Sequence, residues 1–212
     1  MGGNGEKILT TPATRRRLFL TLALRRARPG TGSAEVFLKE RRAMKRWPDL
    51  TGILDDLPWA VVGAVATRAY MPERATQDLD ILVTGDRAEE VRTRLKAAGF
   101  WPVEALTIGG MTWRSPDGTL VDVLESPLAW VPEALSLRTS DPQGLPILTL
   151  PYLVLMKVEA GRTQDLADAA RMLGLASEEA RQATRQVFRR WLPEALEDLE
   201  SLITLGRLEM GR

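Results

Sequence analysis

The chain has 212 residues, a net charge of +1, and neither cysteine nor histidine. The missing cysteines exclude disulfides and thiolate metal sites, and the missing histidines exclude imidazole zinc sites and catalytic triads with a histidine base. Chemistry carried by carboxylates and hard cations remains open. No apolar run reaches the roughly 18 residues of a membrane span, so we expect a cytoplasmic protein without a membrane segment.

The first part of the chain, residues 1–44, is basic and punctuated by glycine and proline. Residues 1–50 carry twelve Lys or Arg against four Asp or Glu. This composition predicts a loosely ordered arm. Three interpretations stay open: the arm binds RNA phosphates, it is a solvated tail, or Met44 is the natural start and residues 1–43 are not translated. The short apolar run at residues 18–24 is followed by arginines, unlike a secretory signal peptide.

A glycine-bearing turn follows in the part of the chain that has a domain-like pattern. Residues 59–62 form an apolar run that ends at Gly63, and the residues after it have helical propensity. The pattern predicts a strand that leads into a helix through a tight turn. The first N–H groups of a helix have no partner within it, and they suit a phosphate. We therefore expect Gly63 and Ala64 to form a phosphate-binding turn.

Two aspartates come next, inside a second apolar run. Asp78 and Asp80 alternate with leucine and isoleucine, so a strand would place both carboxylates on one face and the apolar side chains towards the core. Like charges at this spacing cost stability unless they meet water or a cation, and carboxylate oxygens suit magnesium. The sequence predicts a magnesium site on this strand, with a solvated strand edge as the alternative.

The segment beyond this strand predicts a helix and then several short strands. Asp86 and Glu89 have the spacing of a capping box, and Gly99 is a natural helix stop. Residues 101–125 have a strand-like period, and the last strand carries Asp122 between two valines. If that strand pairs beside the one with two aspartates, Asp122 completes a site for one or two divalent cations. A turn-supporting or salt-bridged aspartate is the alternative.

The end of the chain, residues 151–212, predicts a helical subdomain after an α/β core of residues 45–150. Lys157 interrupts an apolar helix, so it either meets an anion or extends its amine to solvent. A later helix has an arginine every four residues: Arg181, Arg185, Arg189. Such a stripe either follows an RNA backbone or forms a solvated face.

The order of these residues resembles the nucleotidyltransferase superfamily. More narrowly, it resembles the minimal nucleotidyltransferases of the abortive-infection toxin family, found in bacterial toxin–antitoxin pairs. The resemblance covers roughly residues 55–175 and is carried by Gly63-Ala64, Arg74-x-Thr76-x-Asp78-x-Asp80, Asp122, Lys157, Asp165 and Asp168. It implies an α/β (α+β) fold with a mixed β-sheet and flanking helices, magnesium, a nucleoside triphosphate donor, and nucleotidyl transfer, in some members to the tRNA acceptor end.

The resemblance implies a role for each of these residues. Asp78, Asp80 and Asp122 would hold one or two magnesium ions and carry catalysis, with Asp122 helping to activate an acceptor hydroxyl. The nucleotide-binding residues would be Gly63, Ala64, Arg74, Thr76 and Lys157. The supporting residues Asp165 and Asp168 would share a helix face and orient Lys157 or Arg74. A plain salt bridge is the alternative for the lead-in residues Arg74 and Thr76.

One departure from the family bears on activity. The family turn usually ends in Gly-Gly or Gly-Ser, whereas Ala64 keeps the backbone N–H but lacks a hydroxyl. Two functions stay open. The first is a magnesium-dependent enzyme that transfers a nucleoside monophosphate to RNA, such as tRNA, or to protein, as a toxin with a cognate antitoxin. The second is a catalytically weakened nucleotidyltransferase-like binding or regulatory partner protein.

Overall fold

The computed structural model describes residues 11–30, 47–72, 76–141 and 143–211. The chain divides into two compact units. The sheet unit lies within Glu35–Thr149, and the helical unit combines Met1–Ala34 with Leu150–Arg212. No helix in the described ranges has both the length and the apolar character needed to cross a membrane.

The described residues form helices and strands in the following chain order: α1 (Pro12–Arg26), β1 (Trp59–Val61), α2 (Gly63–Thr67), β2 (Asp78–Thr84), α3 (Ala88–Ala97), β3 (Trp101–Ala105), β4 (Gly110–Arg114), β5 (Leu120–Ser126), α4 (Val131–Ser136), β6 (Thr139–Ser140), β7 (Pro146–Ile147), α5 (Leu150–Ala160), α6 (Thr163–Leu175), α7 (Glu178–Trp191) and α8 (Leu196–Met210). Single turns of 3₁₀ helix lie at Gly85–Arg87 and Pro193–Ala195. The fold is therefore α/β (α+β), with a mixed sheet and flanking helices, as the sequence predicts.

The seven strands form one sheet in the order β3-β4-β5-β2-β1-β7-β6. Central strand β2 pairs in parallel with β5 on one side and antiparallel with β1 on the other. Every second residue of β2 and β5 belongs to the core, where the fully buried side chains are Leu79, Ile81, Val121 and Val123. The residues between them are only half-buried on the opposite face: Asp78, Asp80, Asp122. We call this opposite side of β2, β5, β4 and β3 the acid face.

The start of α3 differs from the predicted capping box. The chain enters α3 through the 3₁₀ turn Gly85–Arg87, and neither that turn nor α3 has a side-chain cap hydrogen bond. Asp86 is therefore not a capping residue, because the 3₁₀ turn places it inside a helical segment rather than before one. The predicted stop is confirmed in its geometry, since Gly99 follows α3 with a φ of 85°.

Helix α1 corrects the prediction of a loosely ordered arm over its own span, Pro12–Arg26. Thr11 caps the helix with its side chain. Arg16 is buried, and its Nε donates to Asp198 Oδ2 of α8 at 2.6 Å while Nη1 donates to the carbonyl oxygen of Val158 at 3.2 Å. Leu20 is also buried. A basic side chain with distant partners thus anchors this segment within the helical unit, while residues 1–10 and 31–44 lie outside the described residues.

The arginines of α7 also have partners inside the helical unit. Arg181 is buried, and it donates to the carbonyl oxygen of Leu173 at 3.0 Å and to Glu178 at 2.9 Å. Arg185 donates to Glu178 at 2.8 Å and to Glu200 at 2.7 Å. Hydrogen bonds from Arg181 and then Arg185 lower the pKa of the Glu178 carboxyl. For these two arginines the interpretation as a solvated face is wrong, because their guanidinium groups connect α7 to its neighbours. RNA binding by the stripe, which includes the exposed Arg189, stays a prediction.

Candidate functional site

The acid face brings the three predicted carboxylates onto neighbouring strands. The parallel register of β2 and β5 places Asp80 opposite Asp122, and Asp78 opposite Leu120. Paired strands lie about 4.8 Å apart, so Asp80 and Asp122 are neighbours across the two strands. All three acids are half-buried. The strand that carries Asp122 therefore pairs beside the strand that carries Asp78 and Asp80, as the predicted site requires.

The turn after β1 lies directly against one of these acids. Gly63 has a φ of 62°, a left-handed conformation that glycine adopts without strain. A Cβ at this position would stand 1.8 Å from Asp80 Oδ2, so the carboxylate fills the space where a side chain would be. The backbone N–H of Val62 also donates to the carbonyl oxygen of Asp80 at 2.9 Å. The turn and the middle of the acid face are therefore one local structure.

The predicted helix after the turn is short. Helix α2 has only five residues, and Ala64, its second residue, is 5% exposed. The carbonyl oxygen of Ala64 accepts a hydrogen bond from Thr67 Oγ1 at 2.7 Å. The methyl group that distinguishes Ala64 from glycine is thus packed against protein. Phosphate binding by Gly63 and Ala64 stays a prediction.

The carboxylate of Asp122 has a partner on β4. Thr112 is the register partner of Asp122, and its Oγ1 donates to Asp122 Oδ1 at 2.7 Å. Asp122 therefore leans towards β4, whereas Asp80 lies against Gly63 on the β1 side. Among the described residues, no group of three or more acidic side chains is placed to hold a metal ion. The predicted convergence of all three carboxylates on bound metal is not formed in the described chain.

The donor chemistry of the acid face nevertheless fits magnesium. Mg²⁺ commonly takes one or two protein carboxylates and completes its shell with water and substrate phosphate oxygens. In the part of the chain that the structure describes, the Asp78 carboxylate has no hydrogen-bond or ion-pair partner. A carboxylate has two oxygens, so Asp122 keeps Oδ2 while Oδ1 binds Thr112. Asp78 and Asp80 could therefore hold one ion, with Asp122 beside it.

The two residues predicted to lead into β2 are Arg74 and Thr76. Thr76 Oγ1 donates to the carbonyl oxygen of Asp78 at 3.3 Å, so its hydroxyl supports the start of the strand. Arg74 lies outside the described residues. A nucleotide-binding role for either residue stays a prediction.

Lys157 and its two predicted supporting acids lie together in the helical unit. Lys157 is 4% exposed. Its Nζ donates to Asp165 Oδ1 at 3.1 Å and to Asp168 Oδ2 at 3.0 Å. The lysine therefore meets anions of its own chain, and the interpretation in which it extends its amine to solvent is wrong. Contact of Lys157 with a nucleotide stays a prediction.

Three residues of the acid face were missed in the sequence: Trp101, Thr112, Arg114. Their positions follow from strand register, because Trp101 pairs with Arg114 and Thr112 pairs with Asp122. The strand-like period of residues 101–125 was visible, but the period alone does not say which strands are neighbours.

A cavity of about 390 Å³ lies beside Asp78, where β2 and β5 begin and β4 ends, and Arg114 lines it.

We expect Gly63→Ala to lower the free energy of unfolding by about 1–3 kcal/mol, because alanine is strained at positive φ. Its methyl group would also displace the Asp80 carboxylate. Urea unfolding of the variant measures this loss. Gly52→Ala is the matched control, since no atom lies within 4 Å of a Cβ at that position, and we expect a change within about 0.5 kcal/mol. Equal unfolding of the two variants would contradict the contact between Gly63 and Asp80.

Comparisons with known proteins give distant structural similarity only. No family profile matches the chain, and no curated protein matches it. The solution structure of the antibiotic-resistance factor ANT(2'')-Ia is 16% identical, covers 82% of this chain and 91% of its own, and has a TM-score of 0.41. The crystal structure of ANT(2'')-Ia with adenylyl-2''-tobramycin is 16% identical, covers 81% and 98%, and has a TM-score of 0.42.

A third solved structure, TM1012 from Thermotoga maritima, is described as a candidate nucleotidyltransferase. It is 16% identical, covers 68% of this chain and 91% of its own, and has a TM-score of 0.38. Similarity at this level assigns neither an activity nor a substrate to the present chain. The resemblance to abortive-infection toxins therefore stays a prediction.

Proposed function

We propose that the chain is a magnesium-dependent nucleotidyltransferase, which transfers a nucleoside monophosphate from a nucleoside triphosphate to an acceptor hydroxyl. The observation that carries the proposal is the register of β2 on β5, which places Asp80 beside Asp122 with Asp78 on the same face. The Gly63 turn lies against Asp80. Carboxylates on adjacent strands beside a backbone turn suit a metal-bound triphosphate.

The acidic residues of the acid face would have different roles in the reaction. Magnesium, when bound, neutralises the charge of the triphosphate and aligns it for displacement. Asp78 and Asp80 would supply its protein ligands. The acceptor oxygen forms a bond to the α-phosphorus, the bond from that phosphorus to the bridging oxygen breaks, and pyrophosphate leaves. Asp122 would take the acceptor proton through Oδ2, while Thr112 fixes Oδ1.

The finer parts of the proposal are supported by the family resemblance of the sequence. They are an RNA acceptor such as tRNA, and a role as the toxin of a bacterial toxin–antitoxin system with a cognate antitoxin. We also keep nucleotide binding by Lys157, with Asp165 and Asp168 as supporting residues, as part of the proposal. The ion pairs of this lysine would then have to rearrange when nucleotide binds.

One observation favours a second function, a protein that binds nucleotide without transferring it. Only Oδ2 of the Asp122 carboxylate lacks a hydrogen-bond partner among the described residues, because Oδ1 accepts from Thr112 Oγ1. No three acids of the described residues surround one ion position. A nucleotidyltransferase-like chain with these features could serve as a binding or regulatory partner.

Label transfer separates the two functions. The purified chain is incubated with Mg²⁺, each α-labelled nucleoside triphosphate, and either total tRNA, a protein fraction or tobramycin, with EDTA-treated samples as the control. Label in tRNA supports both nucleotidyl transfer and an RNA acceptor. Label in another acceptor alone supports nucleotidyl transfer but overturns the proposal that the acceptor is RNA. Nucleotide binding by calorimetry without any transfer supports the second function. Neither binding nor transfer with any triphosphate overturns both.

A further inference from the structure

A second row of side chains crosses the acid face next to the pair Asp80 and Asp122. Asp78 is opposite Leu120, Leu120 is opposite Arg114, and Arg114 is opposite Trp101. Residues that are opposite each other in paired strands point to the same side of a sheet. The row therefore runs across the acid face from edge strand β3 to β2, a distance of about 14 Å at the usual strand spacing.

The outer end of this row is an exposed tryptophan. Trp101 is 47% exposed, whereas Trp113, which belongs to the opposite face, is 1% exposed. All residues of β3 are exposed, so the indole of Trp101 lies at an uncovered sheet edge. The exposed aromatic face of Trp101 gives a planar ligand a surface on which to stack.

The middle of the row is an arginine that lines the cavity beside Asp78. Arg114 Nη1 donates to the carbonyl oxygen of Gly118 at 3.4 Å, and no described carboxylate lies within ion-pair distance of its guanidinium group. Asp117, the other acid of the cavity, accepts hydrogen bonds from the Ser115 hydroxyl and from the Thr119 N–H. Arg114 is therefore a half-buried cation available to an anionic ligand in this cavity.

We propose that Trp101 and Arg114 form a subsite for the single-stranded end of a nucleic acid acceptor. Indole rings stack on bases of any sequence, and a guanidinium group binds phosphate with two parallel hydrogen bonds. A base on Trp101 and its phosphate on Arg114 would direct the following nucleotide towards Asp78. The subsite deepens the proposed function, on which it rests, by giving the acceptor a binding surface of the sheet unit.

The strand order supports separate approaches for donor and acceptor. The Gly63 turn lies on the β1 side of β2, whereas Trp101 and Arg114 lie on the β5 side. The acids stand between these two regions of the sheet. A triphosphate near the turn and an acceptor end in the row would therefore meet at the carboxylates from opposite sides, as displacement in line requires.

Fluorescence anisotropy of a labelled single-stranded RNA of about 8 nucleotides tests the subsite with the full chain and no triphosphate. We expect Trp101→Ala and Arg114→Gln each to weaken binding roughly 10-fold. Arg114→Gln should also lower the slope of log binding constant against log salt concentration by about one, because one fewer counterion is released. Trp101→Phe keeps a stacking ring and should restore most of the affinity. The matched controls are Ile108→Ala, which removes a 73% exposed side chain, and Arg207→Gln, which removes an exposed cation of α8.

Steady-state transfer to the same RNA separates failure of the subsite from failure of the proposed function. The subsite predicts that Trp101→Ala raises the KM for RNA and leaves kcat nearly unchanged. Wild-type KM and wild-type affinity in both variants overturn the subsite while the transferase stands. RNA binding that depends on Trp101, in a chain that transfers no nucleotide, keeps the subsite and overturns the transferase. Binding of duplex RNA as tight as that of the single strand overturns the stacking role.

Discussion

Asp80→Asn should lower kcat for nucleotidyl transfer by roughly 10³-fold, the scale of losing one main electrostatic group in an active site. Asp80 is the acid that both lies against the Gly63 turn and neighbours Asp122. Asparagine keeps the shape of the side chain but removes the charge that a magnesium ion requires. The measurement is label transfer at saturating Mg²⁺ and triphosphate, with the acceptor identified by the experiment above.

The stability of this variant gives an independent readout. Asparagine keeps the size and shape of the Asp80 side chain, so we expect the variant to fold and to unfold in one cooperative thermal transition. Loss of activity in a variant that still folds cooperatively indicates a residue placed for function rather than for packing. Asp86→Asn is the matched control, because Asp86 is an exposed acid just after β2, and it should transfer at the wild-type rate. Transfer within threefold of wild type by Asp80→Asn would assign the acids a structural role.

The sequence contained enough information to place the acids on one face but not to orient them. Alternation along a strand is a local property, so Asp78 and Asp80 could be assigned to the same side without any knowledge of neighbours. The position of Asp122 required one further fact, the pairing of β5 with β2. The direction of its carboxylate depends on Thr112 of β4. A threonine in a strand gives no signal of that contact until the register is known.

The error at the beginning of the chain has the same physical origin. Composition predicts a loose arm where three arginines follow one another. Arg16 nevertheless donates a hydrogen bond to Asp198, which is 182 residues away in the sequence. No local pattern contains a partner at that separation. A local sign was present, because Thr11 and Pro12 form the cap and first turn that commonly begin a helix. Giving that sign more weight than the charge would have predicted α1.

Lys157→Met should lower the free energy of unfolding by about 3–5 kcal/mol, the usual cost of removing one partner from a buried ion pair. Methionine has a similar length and suits the apolar surroundings of α5, so loss of packing contributes little. The cost arises because Asp165 and Asp168 are 5% and 0% exposed and would lose the amine that donates to both. Urea unfolding of the full chain measures the change.

Arg162→Met is the matched control, because Arg162 donates to the same Asp165 at 2.5 Å but has a side chain that is 75% exposed. An exposed cation contributes only about 0–1 kcal/mol, so the two variants separate burial from charge. Lys157→Met combined with Asp168→Asn should recover part of the stability, since one uncompensated buried charge is removed. If Lys157→Met instead keeps wild-type stability and weakens only triphosphate binding, the lysine serves the nucleotide, and the buried ion pairs contribute nothing measurable to folding.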